Sequence, residues 1–374
     1  MEASDTVSIK KIAIIGAGIS NLTFLHSLKK NDKVEIHIFE RSKVLSGRAA
    51  TRKRNEYYFD NGANFFEAID PKIQNIIHNQ LSTENLVEIR KPIFQFDKNF
   101  KIDFDENNSR EHNTFSKYTY KQGINHLGNL LLKNVKINYN LQFSKNITKI
   151  KQLGNNNWQL FCENEDLGIF DYIIFGVPSP NIARVLLNSE FNQIDKEFFD
   201  KSADVLISST YEKTFSLSIA FEKSEFNEND KNYDFSKFFA LVNSDNKSSI
   251  SWVCVDNEKN IGESELYKKN LILNVQMSNE FSTANHNLPN KEALKIIIEN
   301  LYDFFPVLKN KKINFSDLKL WGHSFPSKKL NDNLINEFAK RNIYVIGDAL
   351  LEKGKIDGAM LTGVNLYEKL SAKF

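Results

Sequence analysis

Apolar residues run without a break from Ile12 to Ile15 and stop at a glycine cluster. A short apolar run closed by glycine predicts a buried strand followed by a turn. Leu22, Leu25 and Leu28 then fall near one face at helical spacing, which predicts a helix from about Ser20 to Lys30. Val34, Ile36 and Ile38 alternate up to Glu40, the pattern of a second strand. These forty residues therefore predict a βαβ unit. The other end of the chain predicts a buried strand from Ile343 to Ile346, a Gly347-Asp348 pair, a loop, and a helix opened by Asp357-Gly358-Ala359. In the middle, "YTYKQGINHLGNLLL" predicts a turn at Gly123 before a helix. Residues 154 to 157 predict a hairpin, and "NKEALKIIIENLYDFFP" predicts a structural helix over 290–305. Stretches such as "FSLSIAFEKSEF" and "SISWVCVDNEKNI" read as strands of a second sheet.

Length and charge narrow the picture. At 374 residues the chain exceeds what one core usually supports, so two lobes are expected. Lys and Arg number 49 against 47 Asp and Glu, a net charge of +2, which lacks the basic excess that neutralising nucleic-acid phosphates requires. Cys162 and Cys254 lie far apart in alternating strand patterns, outside any metal-binding spacing, so they read as buried small hydrophobes in a reducing cytosol. No apolar leader precedes the first strand, and no apolar run reaches 18 residues. The expectation is a soluble cytoplasmic protein without a membrane or nucleic-acid partner and without a metal.

The βαβ unit carries the first chemistry. Gly16-Ala17-Gly18-Ile19-Ser20-Asn21 keeps two glycines of the G-x-G-x-x-G dinucleotide fingerprint. Gly16 makes the tight turn. Gly18 lets backbone approach a pyrophosphate, and the helix opening at Ile19 and Ser20 meets the phosphate charge. Asn21 replaces the third glycine, which predicts a wider helix–strand gap or a side chain turned outward. Glu40 lies about twenty positions beyond Gly18, where an acid accepts hydrogen bonds from an adenosine ribose and disfavours NADP. The unit by itself suits NAD or FAD.

The stretch "FERSKVLSGRAATRKRNEYYFDNGANFFEA" resembles the second signature of glutathione-reductase-type FAD proteins in the flavin amine-oxidase superfamily. Gly47, Arg48, Ala50, Thr51, Arg52, Phe59, Asp60, Gly62, Ala63 and Phe66 are most similar to the renalase-like branch, flavoproteins that oxidise off-pathway isomers of reduced nicotinamide dinucleotides. Ser46 stands where that pattern has a glycine. The C-terminal Gly347-Asp348 and Asp357-Gly358-Ala359 resemble the closing FAD motif of the same superfamily. The resemblance implies an α/β chain: an FAD-binding Rossmann-like domain of glutathione-reductase type (8–72, 116–189 and 318–374) with an inserted α+β substrate domain (73–115 and 190–317).

It also implies residue roles. Arg48 counters the FAD pyrophosphate, Glu40 serves the adenosine ribose, and Arg41 beside it is a further cofactor-binding residue. Gly47 lets the backbone lie close to the cofactor, and Gly62, Ala63 and Asn64 line the flavin edge, with Asp60 orienting their loop. Ile147 touches the adenine, and Asp348 holds the ribityl chain. Gly358, Ala359 and Met360 offer backbone N–H groups to the flavin pyrimidine, where a helix N-terminus stabilises the reduced ring. FAD is held non-covalently. Arg48→Ala and Glu40→Ala are expected to weaken its retention with little loss of fold. Arg52, Lys53 and Arg54 read as an exposed basic loop.

For the reaction, the resemblance implies a FAD-dependent oxidase that takes a hydride from an isomeric dihydronicotinamide dinucleotide onto flavin N5, with O2 as electron acceptor. Gln276, Trp321 and His323 are the candidate catalytic residues. Gln276 stands where the relatives carry histidine, and Lys319 and His323 occupy the first and fifth positions of an H-x-W-x-Y-x-x-P segment that keeps Trp321 and Pro326. The alternatives are oxidation of an amine or other small molecule, and a flavoprotein without turnover. Lys353, Gly354, Lys355, Ile356 and Asp357 place no aromatic residue before the last helix, which removes one expected wall of an amine cage.

Overall fold

A computed structural model describes residues 9–54, 57–209, 211–227, 234–259, 265–351 and 354–373. The five-stranded parallel sheet runs in the order Ile343–Val345, Tyr172–Phe175, Lys10–Ile15, Val34–Glu40, Tyr139–Phe143. A parallel sheet is covered on both faces, which is why Ile12 to Ile15 reads as continuous rather than alternating. On one face Ile12 and Ile14 pack with Leu22 and Leu25 of helix Ile19–Ser27, Leu127 of helix His126–Lys133 and Val364 of helix Ile356–Leu370. On the other, Ala13 and Ile15 pack with Trp158 and Leu160 of a three-stranded antiparallel sheet, and with Ile182 and Phe199 of helices Ser179–Leu187 and Lys196–Ser208. The first helix ends at Ser27, three residues before its expected limit. Leu28 turns to extended backbone, and the Asn31-Asp32 pair that follows favours a turn.

The seven-stranded sheet is built from amphipathic strands. Its order is Ile313–Trp321, Thr214–Glu222, Asn270–Met277, Ile250–Val255, Ala240–Asn243, Ile93–Phe96, Ile102–Asp103. Phe215, Leu217, Ile219 and Phe221 alternate with Thr214, Ser216, Ser218 and Ala220, so one face is apolar and the other mostly polar. The apolar face, joined by Leu273, Val275 and Val253, packs on Ala293, Ile297, Leu301 and Phe304 of the expected helix, here Asn290–Phe304. The other face meets the hairpin that ends at Asp60 and the loop after it: Asn274 Nδ2 donates to the Asp60 carbonyl and Gln276 Nε2 to the Gly62 carbonyl, both at 3.1 Å, and Ala220 and Ile272 pack with Tyr57 and Phe59.

The structure changes three expected boundaries. Ile313–Trp321 pairs along its length with Thr214–Glu222, so a division between residues 317 and 318 cuts a single strand of the second sheet. Ile73 and Ile77 pack on the parallel-sheet side with the first helix, and Phe199 and Leu206 pack on its opposite side. Apolar spacing announces burial, but the partner sheet is set by topology. The segment expected as a basic loop is a strand, Thr51–Arg54, paired with Tyr57–Asp60. Arg52 and Arg54 reach Asp317 at 2.9 and 3.6 Å, tying this hairpin to the edge of the second sheet.

Candidate functional site

The nucleotide end begins at Gly16, whose φ of +94° and close neighbours admit only glycine. An added Cβ would lie 2.9 Å from Val177 Cγ1 and 3.2 Å from the Gly176 carbonyl. Asn21 is not turned outward. It is fully buried, and its Nδ2 donates to the carbonyls of Ile15 at 3.0 Å and Gly16 at 2.7 Å. The amide thus pins the turn that a third glycine would leave free, and Gly176 is small to make room for it. Glu40 accepts from the N–H groups of Ala17 at 2.7 Å and Ser42 at 2.8 Å, one per carboxylate oxygen. A carboxylate has about four acceptor positions, so capacity remains for two hydroxyls.

One cavity of about 640 Å³ extends from this turn to the last helix. Gly16, Gly18, Ile19, Ser20, Glu40, Arg41 and Ile147 line one part of it. Gly47, Arg48, Gly62, Ala63, Asn64, Gln276, Trp321, His323, Gly347, Asp348 and Ala359 line the remainder. Gly358 and Met360 do not line it, and Met360 is fully buried. The last helix starts at Ile356, and the Ala359 N–H already donates to Lys355. The first-turn N–H groups outside the helical ladder are therefore those of Ile356, Asp357 and Gly358, two residues earlier than expected, and the Asp357 carboxylate accepts from its own N–H and that of Gly358. Lys353 lies outside the described residues.

Arg48 is committed within the protein. Its guanidinium grips Asp348 through two contacts of 2.5 and 2.7 Å and donates to the Ser324 carbonyl at 3.0 Å. Asp348 is also 3.4 Å from the Tyr211 hydroxyl. The pair joins three distant segments at the cavity wall rather than presenting a free cation. Gly62 is also fixed by its own chain, since an added Cβ would sit 1.9 Å from the Arg48 carbonyl oxygen. Gln276 Nε2 donates to Gly62 O and to Asn64 Oδ1, both at 3.1 Å, and Trp321 Nε1 donates to Asn61 O at 2.6 Å. Two of the candidate catalytic side chains therefore hold the 61–64 loop while facing the cavity.

Beneath that loop lies a charge cluster that the sequence did not announce. Lys259, Asp60 and Asp256 are all fully buried, with Lys259 Nζ 2.7 Å from Asp256 and 3.3 Å from Asp60. Asp60 also accepts from Thr51 Oγ1 and the Ile124 N–H. Burial pushes Asp256 above the ordinary aspartate value, the Lys259 charge pulls it down, and the Asp60 charge adds to the rise.

The cavity is rich in cations. Arg41, Arg184 and Lys319 line it and have no ion-pair partner among the described residues. Burial, followed by the charges of Arg184, Arg41, Arg48 and Lys213, holds the His323 imidazole below its ordinary 6.5. His323 is thus neutral at pH 7. Because the unfolded chain takes up this proton first, its contribution to stability falls as pH drops from 6.5 toward the lowered folded value. An NMR titration of the cofactor-free protein is expected to show the neutral ring persisting below pH 6.5, and titration at or above that value would contradict this. Arg184 and Trp252 carry no sequence signal as cavity residues, and Lys319 stands out only as the first position of the segment that keeps Trp321 and Pro326. Arg184 and Trp252 sit in an ordinary helix and an ordinary strand pattern with no motif of their own.

Among the described residues no helix is long and apolar enough to cross a membrane. Residues 14–79 match the NAD(P)-binding Rossmann-like domain. A proposed protoporphyrinogen oxidase from Exiguobacterium sp. 255-15 is similar to this chain with a TM-score of 0.73 at 12% identity, covering 98% of this chain and 100% of that one. A reduced UDP-galactopyranose mutase also gives 0.73 at 12% identity, over 98% and 96% of the two chains. Putrescine oxidase bound to putrescine gives 0.60 at 9% identity, over 97% and 99%. Proteins named for an oxidation and for a mutase reaction share this architecture, so the reaction rests on the side chains of the site. The chain has an α/β fold in which a Rossmann-like parallel sheet is joined to a second, mostly antiparallel sheet.

Proposed function

We propose that the cavity holds FAD and that the protein is a FAD-dependent oxidoreductase acting on an isomeric dihydronicotinamide dinucleotide, with O2 as electron acceptor. The observation that carries this reading is one continuous cavity running from the Gly16–Gly18 turn and Glu40 to the N-terminus of the last helix, lined on the way by Arg41, Arg184 and Lys319, which have no ion-pair partner among the described residues. The residues fit the cofactor. Glu40 keeps acceptor capacity for a ribose, and the helix opening at Ile19 directs unbonded N–H groups toward a pyrophosphate. Arg41 and Arg184, rather than Arg48, supply the counter-charge. The N-terminus of the last helix at Ile356, which lines the cavity, would face the pyrimidine side of the flavin. Bound FAD would supply the hydride acceptor and the route of electrons to O2.

The chain's own residues bind and orient. The 61–64 loop, held by Gln276 and Trp321, forms one wall, and Trp252 with Phe65, stacked at a centroid distance of 6.0 Å, forms an aromatic wall beside it. Such a site positions a planar donor and excludes water, which is what hydride transfer needs more than acid–base groups. Neutral His323 can accept or donate a hydrogen bond without adding charge.

The aromatic walls are the one feature that favours the second reading, an amine oxidase, since aromatic faces hold amines. Lys319 opposes it, because a protonated amine entering beside this ammonium, which has no ion-pair partner among the described residues, is repelled. The purified protein is expected to be yellow. Anaerobic mixing with NADH isomers made by borohydride reduction is expected to bleach the flavin, and a panel of amines is not. Bleaching by amines alone would overturn the substrate, and failure to take up FAD would overturn the whole reading.

A further inference from the structure

The second sheet's strands line up four side chains in one row. Lys319 lies opposite Ser216, Ser216 opposite Gln276, and Gln276 opposite Trp252. Residues directly opposite in a sheet point to the same face. Lys319, Gln276 and Trp252 all line the cavity, so this row is its floor. At about 4.8 Å per strand spacing, the row runs roughly 10 Å from Lys319 to Gln276 and roughly 14 Å from Lys319 to Trp252.

Lys319 is the charged end of this floor. Its ammonium lies 5.5 Å from the centre of the Trp321 ring, also a cavity residue. The nearest acid in sequence, Asp317, is already engaged by Arg52 at 2.9 Å and Arg54 at 3.6 Å. Burial and the Arg52 and Arg41 charges hold the Lys319 ammonium below the ordinary lysine value, so an arriving anion relieves an existing repulsion. The cation position that an aromatic wall offers an amine substrate is occupied, on the Trp321 face, by the protein's own ammonium.

We propose that Lys319 is an anion subsite that sets substrate specificity: the substrate carries a phosphate or carboxylate seated at Lys319, with its planar group over Gln276 and Trp252, and cationic amines are turned away. This deepens the oxidoreductase reading and rests on it only for the reaction that follows binding. Arginine at position 319 preserves the subsite, methionine removes it, and glutamate inverts its preference.

The test uses matched probes that differ by one charge. Nicotinamide mononucleotide against nicotinamide riboside isolates a phosphate, and 3-phenylpropionate against 3-phenylpropionamide isolates a carboxylate. Binding is read by tryptophan fluorescence in the purified protein before and after FAD loading, and by perturbation of the flavin absorbance after loading. At least one charged probe is expected to bind tenfold or more tightly than its neutral partner, and the pair that shows the ratio identifies the anion. Lys319→Met is expected to abolish that ratio while binding of the neutral partner is kept, Lys319→Arg to retain it, and Lys319→Glu to admit benzylamine. A ratio near one in both wild-type pairs, or a ratio unchanged in Lys319→Met, overturns the subsite. If FAD is not taken up, the fluorescence arm still decides the subsite. If FAD is bound and bleached by the NADH isomers while the ratio is absent, only the subsite fails.

Discussion

Methionine in place of Lys259 is expected to lower the unfolding free energy by about 3–5 kcal/mol, the range for breaking a buried ion pair from one side. Asp60 and Asp256 would both be left without their cation at fully buried positions. Asp256 already has one carboxylate oxygen, Oδ2, without a hydrogen-bond partner among the described residues, so no spare donor waits to take over. The defect is carried directly to the cavity, because Asp60 begins the turn whose next residues are the cavity-lining Gly62, Ala63 and Asn64. Urea unfolding of the variant gives the magnitude. The pH dependence gives the cause. An acid whose folded pKa lies above its ordinary 3.8 binds more protons folded than unfolded, so the ionised form weakens the fold and stability is regained as pH falls through the raised value toward 3.8. The Lys259→Met defect should therefore shrink on acidification and be reduced at neutral pH by adding Asp256→Asn. An unfolding midpoint equal to the parent's would show that the cluster does not hold the loop.

Arg48→Ala is expected to be costly for the fold as well as for the cofactor. The guanidinium joins Asp348 to the Ser324 carbonyl, linking the glycine-rich loop, the end of the second sheet and the last motif of the chain. Its loss leaves the Asp348 side chain, 9% exposed, without a counter-charge. The expected destabilisation is about 2–3 kcal/mol, less than a fully buried pair because part of Arg48 reaches solvent. Asp348 without its partner would also place an uncompensated negative charge in a cavity assigned to a pyrophosphate. Melting temperature and the flavin retained after gel filtration should fall together. Adding Asp348→Asn should recover much of the melting temperature, because the buried carboxylate is then gone. An Arg48→Ala protein that loses FAD at an unchanged melting temperature would restore the simpler expectation that Arg48 serves the cofactor alone.

Elements whose causes are local are legible in the pattern of residues along the chain. A buried strand, a glycine turn, a helix and a strand ending in Glu40 lie within one contiguous stretch, so period and glycine placement suffice to read them. The same holds for the closing strand and helix, and for the alternation of Thr214–Glu222. What the sequence did not contain was the state of each charge. Arg48 and Arg184 are alike as letters, yet one is bound to a carboxylate 300 positions away and the other lines the cavity with no ion-pair partner among the described residues. Lys259 reads as one more lysine among many and is a buried cation. Asn21 departs from a motif and is the side chain that ties its turn together. Lys319, Gln276 and Trp252 come from three strands, and only the register of the second sheet sets them in one row. Local structure follows from periodicity along the chain, whereas charge pairing and side-chain alignment depend on which distant segments meet, and that was decided by the packing of the two sheets.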